Sequence, residues 1–600
     1  GNFCLMTAKQ SRFLLYSSSL VFLFYLSAKL HTYLFLRRIF GFFDAYLIDQ
    51  FLFFGVFSVL IWIGVRNKLI HIRASMILVT LLYVGFVFLT QSEILERYFI
   101  KDDIFVMIPA MLHPEAIDYR YTNKLDYFYY HFGVFSLLFR FFRLEAFYYN
   151  IFTMVTMGFA GAALLYLFKW FYPKGRLVFW SIAVLSTLFF LSSPNILDSF
   201  MYMEHSTATG YIAICVVLSA YFYLRYLKER SLVFFFTSYS LLLFLLRTAM
   251  TRAGFWAACL VLLEFSFFFV TKKRKDFGGV LARSFIILLP FYFIAKPYLV
   301  PASSGRLYGL NLARFVDADR LYLFFANFIP AFIPYQFWRP VYMSIRLAFL
   351  DQVSTPTQNF FLNNLLFVGG VVFFTLVSLL ILFLFFKRIN VFYVVYFWIC
   401  TNASLLFYML FGNVSRPKDG HIFDISILNY GVTPGSRYYP LPIIFLTITF
   451  FIIAISVSSK LKGKFRGLAV FFAGFVLLIT VGSNIVFSRE ANRSANGGII
   501  IARELTEGVL GLVPDNNEKK VVYSVSGEVK PFNFIIRLFD YFYKYTPPVY
   551  ITTKEDLLRF LKDNHIKGEN FYAFTFDQEA LVFQDKSAEL RKEFELNLGK

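Results

Sequence analysis

Apolar residues come in runs of about 17 to 25, each long enough for a membrane-spanning helix. They are separated by polar stretches from near the N-terminus to position 487. About thirteen such segments can be counted: 13–36, 46–64, 76–92, 146–168, 178–192, 208–225, 232–247, 253–271, 284–300, 361–386, 390–411, 438–458 and 467–487. The pattern predicts a polytopic α-helical membrane protein, with residues 1–487 as the membrane domain.

The loops alternate in character. Arg66, Lys68 and Arg73 follow the second segment, and Lys169, Lys174 and Arg176 follow the fourth. Arg225, Lys228 and Arg230, then Lys272, Lys273, Arg274 and Lys275, then Lys387 and Arg388, then Lys460, Lys462, Lys464 and Arg466 continue the series. If helices alternate, these fall on one side, which the positive-inside rule makes cytoplasmic, together with the N-terminus. Arg37 and Arg38 break the rule, so the first segment is the exception to the scheme. The opposite side receives the long stretches 93–145, 193–207, 301–360 and 412–437, and the tail from 488. Within 301–360, LYLFFANFIPAFIP (321–334) is apolar but short and broken by proline, which reads as re-entrant or interfacial.

The tail, 488–600, changes pattern. KKVVYSV (519–525), PVYITT (548–553), FYAFTF (571–576) and ALVF (580–583) are strand-like. FNFIIRLFDYFYKY (532–545) and TKEDLLRFLKDN (553–564) have helical spacing, the latter with Thr552 and Glu555 as its capping box. A small C-terminal α/β domain outside the membrane is the expectation.

Composition agrees with the pattern: 58% of residues are hydrophobic and 16% charged, where a soluble chain carries about 25% charged residues. The net charge of +21 sits in short loops between apolar runs, a topology signal and not a nucleic-acid footprint, so no nucleic-acid partner is expected. Phe (83) and Tyr (39) are abundant, as lipid contact and interfacial anchoring require. Cys215, Cys259 and Cys400 lie inside apolar runs and Cys4 in the N-terminal stretch, with no disulfide or metal-ligand spacing. The first apolar run lacks the short core and A-x-A site of a cleavable signal.

Three places on the outward side carry chemistry. In KDDIFVMIPAML, Asp102 and Asp103 follow an apolar stretch, where a partly dry surface raises a carboxyl pKa towards general-base range. The other reading is a water-facing helix cap. In DSFMYMEHSTATGY, Glu204 and His205 open the next segment, an acid beside an imidazole suited to proton transfer or to a structural hydrogen bond. In GVTPGSRYYPLPIIF, Arg437 stands at the mouth of a segment, placed either to grip phosphate oxygens or to snorkel to headgroups. Arg306, Arg320, Arg339 and Arg346 of the long loop face the same choice between a lipid pyrophosphate and the membrane surface. DADR (317–320) is formally a D-x-D, too short to weigh much. No Walker A, G-x-G-x-x-G, HExxH or G-x-S-x-G occurs, and only 7 histidines are present, which counts against a metal-cluster enzyme.

Taken in order, these pieces resemble the GT-C superfamily of integral-membrane glycosyltransferases, the group of protein O-mannosyltransferases and lipid A aminoarabinose transferases. The resemblance rests on KDDIFVMIPAML, on DYFYYHFGVFSLLFRFFRLEAF (126–147), on LSSPNILDSFMYMEHSTATGY (191–211) and on SRYYPLP (436–442). It covers most of the chain in layout. It departs in having Asp-Asp where the group often has Asp-Glu, and about two extra apolar segments before the pair, where the group usually has one helix in total.

The resemblance implies a polyprenyl-phosphate-linked sugar donor and a glycan, lipid or protein acceptor, with membrane lipids as surroundings. Asp102 or Asp103 would be the catalytic base, the second acid orienting it or holding a divalent metal, and no other cofactor is implied. Glu204 would be a further catalytic acid, with His205 beside it on the substrate side. Arg437 and Tyr438 would bind the donor phosphate. The layout suggests a bacterial inner membrane. The rival readings are a polysaccharide polymerase or O-antigen ligase, and a lipid or glycan transporter, which would carry mid-membrane charges and inverted repeats.

Overall fold

A computed structural model describes residues 74–98, 145–172, 177–194, 203–248, 250–271, 277–299, 318–350, 352–386, 392–411, 440–460, 463–529 and 545–594, with isolated residues in 134–142 and 532–543. In a bilayer each apolar segment must satisfy its own backbone groups, so the runs become helices. These are α1 (Ala74–Thr90), α2 (Ala146–Phe171), α3 (Leu177–Ser192), α4 (Met203–Glu229), α5 (Leu232–Thr248), α6 (Met250–Thr271) and α7 (Phe277–Leu299). Short helices α8 (Ala318–Ala326), α9 (Phe328–Phe332) and α10 (Tyr335–Ile345) follow, with a π-turn at Arg346–Leu350. Then come α11 (Thr355–Phe386), α12 (Phe392–Phe411), α13 (Pro440–Lys460) and α14 (Gly463–Leu512).

The count of spans is a correction. Among the described residues six helices are long and apolar enough to cross a membrane, lying within α2, α4, α6, α11, α13 and α14. The described apolar parts of α1, α3, α5, α7 and α12 are shorter, at 10–17 residues, although α7 and α12 as helices are 23 and 20 residues long. At 1.5 Å per residue a 16-residue helix covers about 24 Å, less than a hydrocarbon core of about 30 Å. Among the described residues the structure thus shows six full spans and not thirteen, and segments 13–36 and 46–64 lie outside those residues.

Neighbouring helices alternate in direction. Phe222 meets Phe234 and Tyr226 meets Phe235 across α4 and α5, and Phe268 meets Phe277 across α6 and α7. In contrast α2 and α4 run parallel, since Tyr166 packs on Tyr221 and Gly210 lies against Thr156. At Gly210 any Cβ would collide with the Thr156 side chain, so only glycine lets these two backbones close. The central helix is α4, with 89% of its apolar window buried, while α11 (22%) and the apolar half of α14 (11%) turn most of theirs outward to lipid.

The 321–334 stretch is broken as its proline predicts. α8 and α9 are 9 and 5 residues long, too short to span, and pack inward through Phe324 and Phe328, with Phe328 also meeting Phe374 and Trp398.

α14 is a single helix of 50 residues, about 75 Å, so it continues well past the membrane. Position 488, where the sequence places the start of the tail, falls inside it. Its last turns support a sheet of β1 (Val521–Ser524), β2 (Val549–Ile551), β3 (Phe571–Asp577) and β4 (Val582–Asp585) in the order β2-β1-β3-β4. β1 pairs in parallel with β2 and β3, and β3 pairs antiparallel with β4. Alternation sorts the faces. Val522, Tyr572, Phe574 and Phe576 pack on Leu505 and Val509 of α14 and on Val513 just past its end. Val521, Tyr523, Phe571 and Ala573 pack on Leu557 and Phe560 of α15 (Lys554–Asn564) and on Leu590 of α16 (Ser587–Glu593). The α15 cap is one residue later than the sequence suggests. Thr553, not Thr552, accepts from the Asp556 amide at 3.2 Å.

Candidate functional site

Of the predicted site residues, Glu204 and His205 belong to the first turn of α4, and nothing further is described of their side chains. Asp102, Asp103, Arg437 and Tyr438 lie outside the described residues. What the structure describes is the set of elements that border them in sequence. Tyr98, four positions before Asp102, follows the 3-10 turn Ser92–Glu96 at the end of α1. Asn150, in the first turns of α2, donates through Nδ2 to the Arg97 carbonyl at 3.0 Å, and α4 runs parallel to α2 from the same end. α13 meets Phe168 and Phe179, near the far ends of α2 and α3, through Phe451. Phe445, six residues earlier in α13, stacks on Trp256, whose indole donates to Ser219 of α4 at 3.0 Å, so the first residue of α13, Pro440, three positions after Arg437, is directed towards the end where α2 and α4 begin.

α14 ties this end together. Ser488 donates to the Ser192 carbonyl at 3.2 Å, and Asn484 donates to Ser192 Oγ at 3.4 Å, fixing the end of α3. Gln336 of α10 donates to Asn484 Oδ1 at 2.6 Å. One position on from Ser488, Arg489 donates through Nε to Glu93 Oε1 at 3.1 Å, the carboxylate being buried and the guanidinium half-exposed. Ser192, Asn484, Ser488, Glu93 and Arg489 thus pair with one another, as polar groups leaving lipid tend to.

Above this belt, Tyr98 shares an electrostatic environment with Glu145, Arg503 and Glu507. Burial, then Glu507 and Glu145, push the Tyr98 phenol well above its ordinary range. Burial raises the Glu507 carboxyl, and the Arg503 cation opposes that shift. Arg503 itself is held above its ordinary value by its hydrogen bond to Glu504. Two acids, a phenol and a guanidinium thus gather beside the segment that leads to Asp102, an arrangement able to accept and hold a proton. Among the described residues no group of three or more His, Cys, Asp or Glu is placed to hold a metal.

A second buried cluster lies near the opposite end. Glu264 of α6 accepts from Arg283 of α7 bidentately, at 2.8 and 3.0 Å, and from the Tyr223 hydroxyl of α4 at 2.7 Å. Arg283 also lies over the Tyr226 ring, 5.8 Å from its centroid. Intramembrane charges mark function by default, but this one is saturated by protein partners, and its geometry is that of a lock on the register of three helices. Sequence reasoning passed over Glu264 and Arg283, although a lone acid in VLLEFSF and a lone arginine in VLARSFI were visible. Glu93 and Arg489 gave no comparable signal.

No protein-family model matches the chain, and neither a curated protein nor a solved structure does. Its own described features define the class: a helical membrane protein carrying one small mixed sheet on the end of its longest helix.

Proposed function

We propose that the chain is a lipid-phosphate-dependent glycosyltransferase of GT-C type, with about thirteen apolar segments as its layout. In this reading it moves a sugar from a polyprenyl-phosphate donor to a glycan, lipid or protein acceptor at the outer face of a bacterial inner membrane. The basic loops make the sheet-bearing end the outer one. Asp102 or Asp103 takes the proton of the acceptor hydroxyl. The acceptor oxygen then bonds to the anomeric carbon as the bond from that carbon to the phosphate oxygen breaks. Arg437, with Tyr438, stabilises the charge that builds on the departing phosphate. Glu204 acts as the second acid, with His205 beside it. The polyprenyl tail stays in lipid throughout.

The observation that carries this reading is a convergence. The chain leading to Asp102 and the first turn of α4 with Glu204 belong to the end of the bundle that α14 braces, and the start of α13 after Arg437 is directed towards it. Tyr98, Glu145, Arg503 and Glu507 add ionisable groups there.

The test is sugar transfer from a polyprenyl-phosphate donor by purified Asp102→Asn, Asp103→Asn and Arg437→Gln variants. Loss of the base is expected to lower the rate by about 10²–10⁴-fold. Full activity in both aspartate variants overturns the assignment. Altered glycan chain length with no single-sugar transfer points instead to a polymerase, and substrate movement with an unaltered glycan points to a transporter.

A further inference from the structure

The sheet carries an unassigned edge. β1 is central: the chain leaves it for β2 on one side, then crosses through α15 to β3 on the other. In parallel sheets of this order, ligands bind outside the carboxyl ends, between the two strands where the connections diverge. Here that point lies between β1 and β3. Ser526, just past β1, is hydrogen-bonded to the Thr575 hydroxyl at 2.8 Å, and its Oγ accepts from the Phe576 amide at 2.6 Å. Gly527 follows with φ +74°, and among the described residues no atom lies within 4 Å of where a Cβ would stand.

The edge faces the bundle. Gly508 of α14 packs against the ring of Phe583, whose strand residue pairs with Phe576 near the carboxyl end of β3. Just past the end of α14, the Val513 carbonyl accepts from the Tyr543 hydroxyl, beside Lys520 at the amino end of β1. The strands therefore run back along α14, carboxyl ends towards the membrane. Glu507, next to Gly508, interacts with Tyr98. Sheet edge and bundle mouth thus meet α14 at the same height.

The chemistry of the edge selects its ligand. Ser526 and Thr575 offer hydroxyls, and Glu528, Asp577 and Glu579 carry negative charge, in a chain of net charge +21. Asp577 Oδ1 accepts from the Glu579 and Ala580 amides at 2.9 and 3.0 Å, which holds its carboxyl below the usual range and keeps it an acceptor. Lys554, at the end of β2, is tied to Glu593 at 2.9 Å. Phosphate would be repelled here. Sugar hydroxyls suit such donors and acceptors, and exposed Val525, Leu581 and Val582 offer apolar surface to sugar C–H faces. We propose that the carboxyl edge of the sheet, centred on Ser526, Gly527, Thr575 and Asp577, binds the acceptor and that this acceptor is a neutral, polyhydroxylated glycan. The inference rests on the transferase reading and names the acceptor class for it.

The test uses the full chain in native membranes. Val525→p-benzoylphenylalanine places a photo-crosslinker on the edge, and Val549→p-benzoylphenylalanine places one at the opposite, amino end of the sheet, both positions being exposed. Irradiation is expected to give a carbohydrate-containing adduct, with sugar mass increments and periodate sensitivity, several-fold more at 525 than at 549. Equal adducts at both positions, no adduct at 525, or adducts of protein or lipid without sugar overturn the proposal. Repeating the experiment with Asp102→Asn separates the two readings. A sugar adduct with transfer retained removes the assigned base and leaves the edge standing. Transfer lost with no adduct removes the edge and leaves the base.

Discussion

Arg489 Nε donates to Glu93 Oε1 at 3.1 Å, joining residues 396 positions apart and pinning α14 to the turn that ends α1. The carboxylate is 8% exposed and the guanidinium 43%, so the two partners are unequal. Arg489→Gln leaves a buried acid without its cation and is expected to cost about 1 kcal/mol, the low end for a pair open to water on one side. Glu93→Gln with Arg489→Gln should recover most of that loss. Thermal unfolding in detergent measures both, and an unchanged transition in Arg489→Gln contradicts the assignment.

The Glu264–Arg283 pair is buried on both sides, with exposures of 1% and 9%. Removing one partner strands a charge among apolar helices, so Arg283→Met should destabilise by about 3–5 kcal/mol. Glu264→Leu combined with Arg283→Met should be milder than either alone, because neither charge is left behind. Tyr223→Phe, which removes one hydrogen bond, should cost about 1 kcal/mol. A double variant as unstable as the sum of its singles would show that the pair does not act as a unit.

Glu507 yields a prediction in pH. Its carboxyl is raised from an ordinary 4.5, so the folded state binds this proton more tightly than the unfolded chain. The resulting stabilisation is complete below about 4.5 and is lost as pH rises through the folded value. Glu507→Gln should therefore raise the unfolding temperature near neutral pH, with the difference shrinking as pH falls towards 4.5. A difference that grows on acidification would show the opposite shift.

The α15 cap can be tested directly. Thr553 accepts from the Asp556 amide and donates to its carboxylate at 2.7 Å. Thr553→Ala is expected to cost about 1 kcal/mol, whereas Thr552→Ala should be nearly silent. Equal effects would return the cap to the register read from the sequence.

Much of the helical architecture was legible before folding. Eleven apolar runs fall on described helices, from Ala74–Thr90 to Gly463–Leu512, because a stretch placed in lipid has few ways to satisfy its backbone. Span number was less legible, since apolar composition does not say where a helix stops. LVFWSIAVLSTLFFLS is apolar throughout yet ends at Ser192 after 16 residues. The α15 cap shifted by one because Thr552 and Thr553 are alike in sequence, and only backbone geometry at Thr553 separates them. Of the candidate site, Glu204 and His205 fall on the first turn of α4, while the two aspartates, Arg437 and Tyr438 lie outside the described residues.

By itself the sequence determined the class: hydrophobic periods, basic loops and a tail of strands and helices depend on neighbours along the chain, and water and lipid sort them locally. Only the tertiary structure decided that Arg489 meets Glu93, that Tyr223, Glu264 and Arg283 close on one another, and that the sheet runs back along α14. Those pairings join segments far apart in the chain, and no local pattern encodes a partner. They exist because burying a charge or an apolar face is favourable only where folding brings its complement.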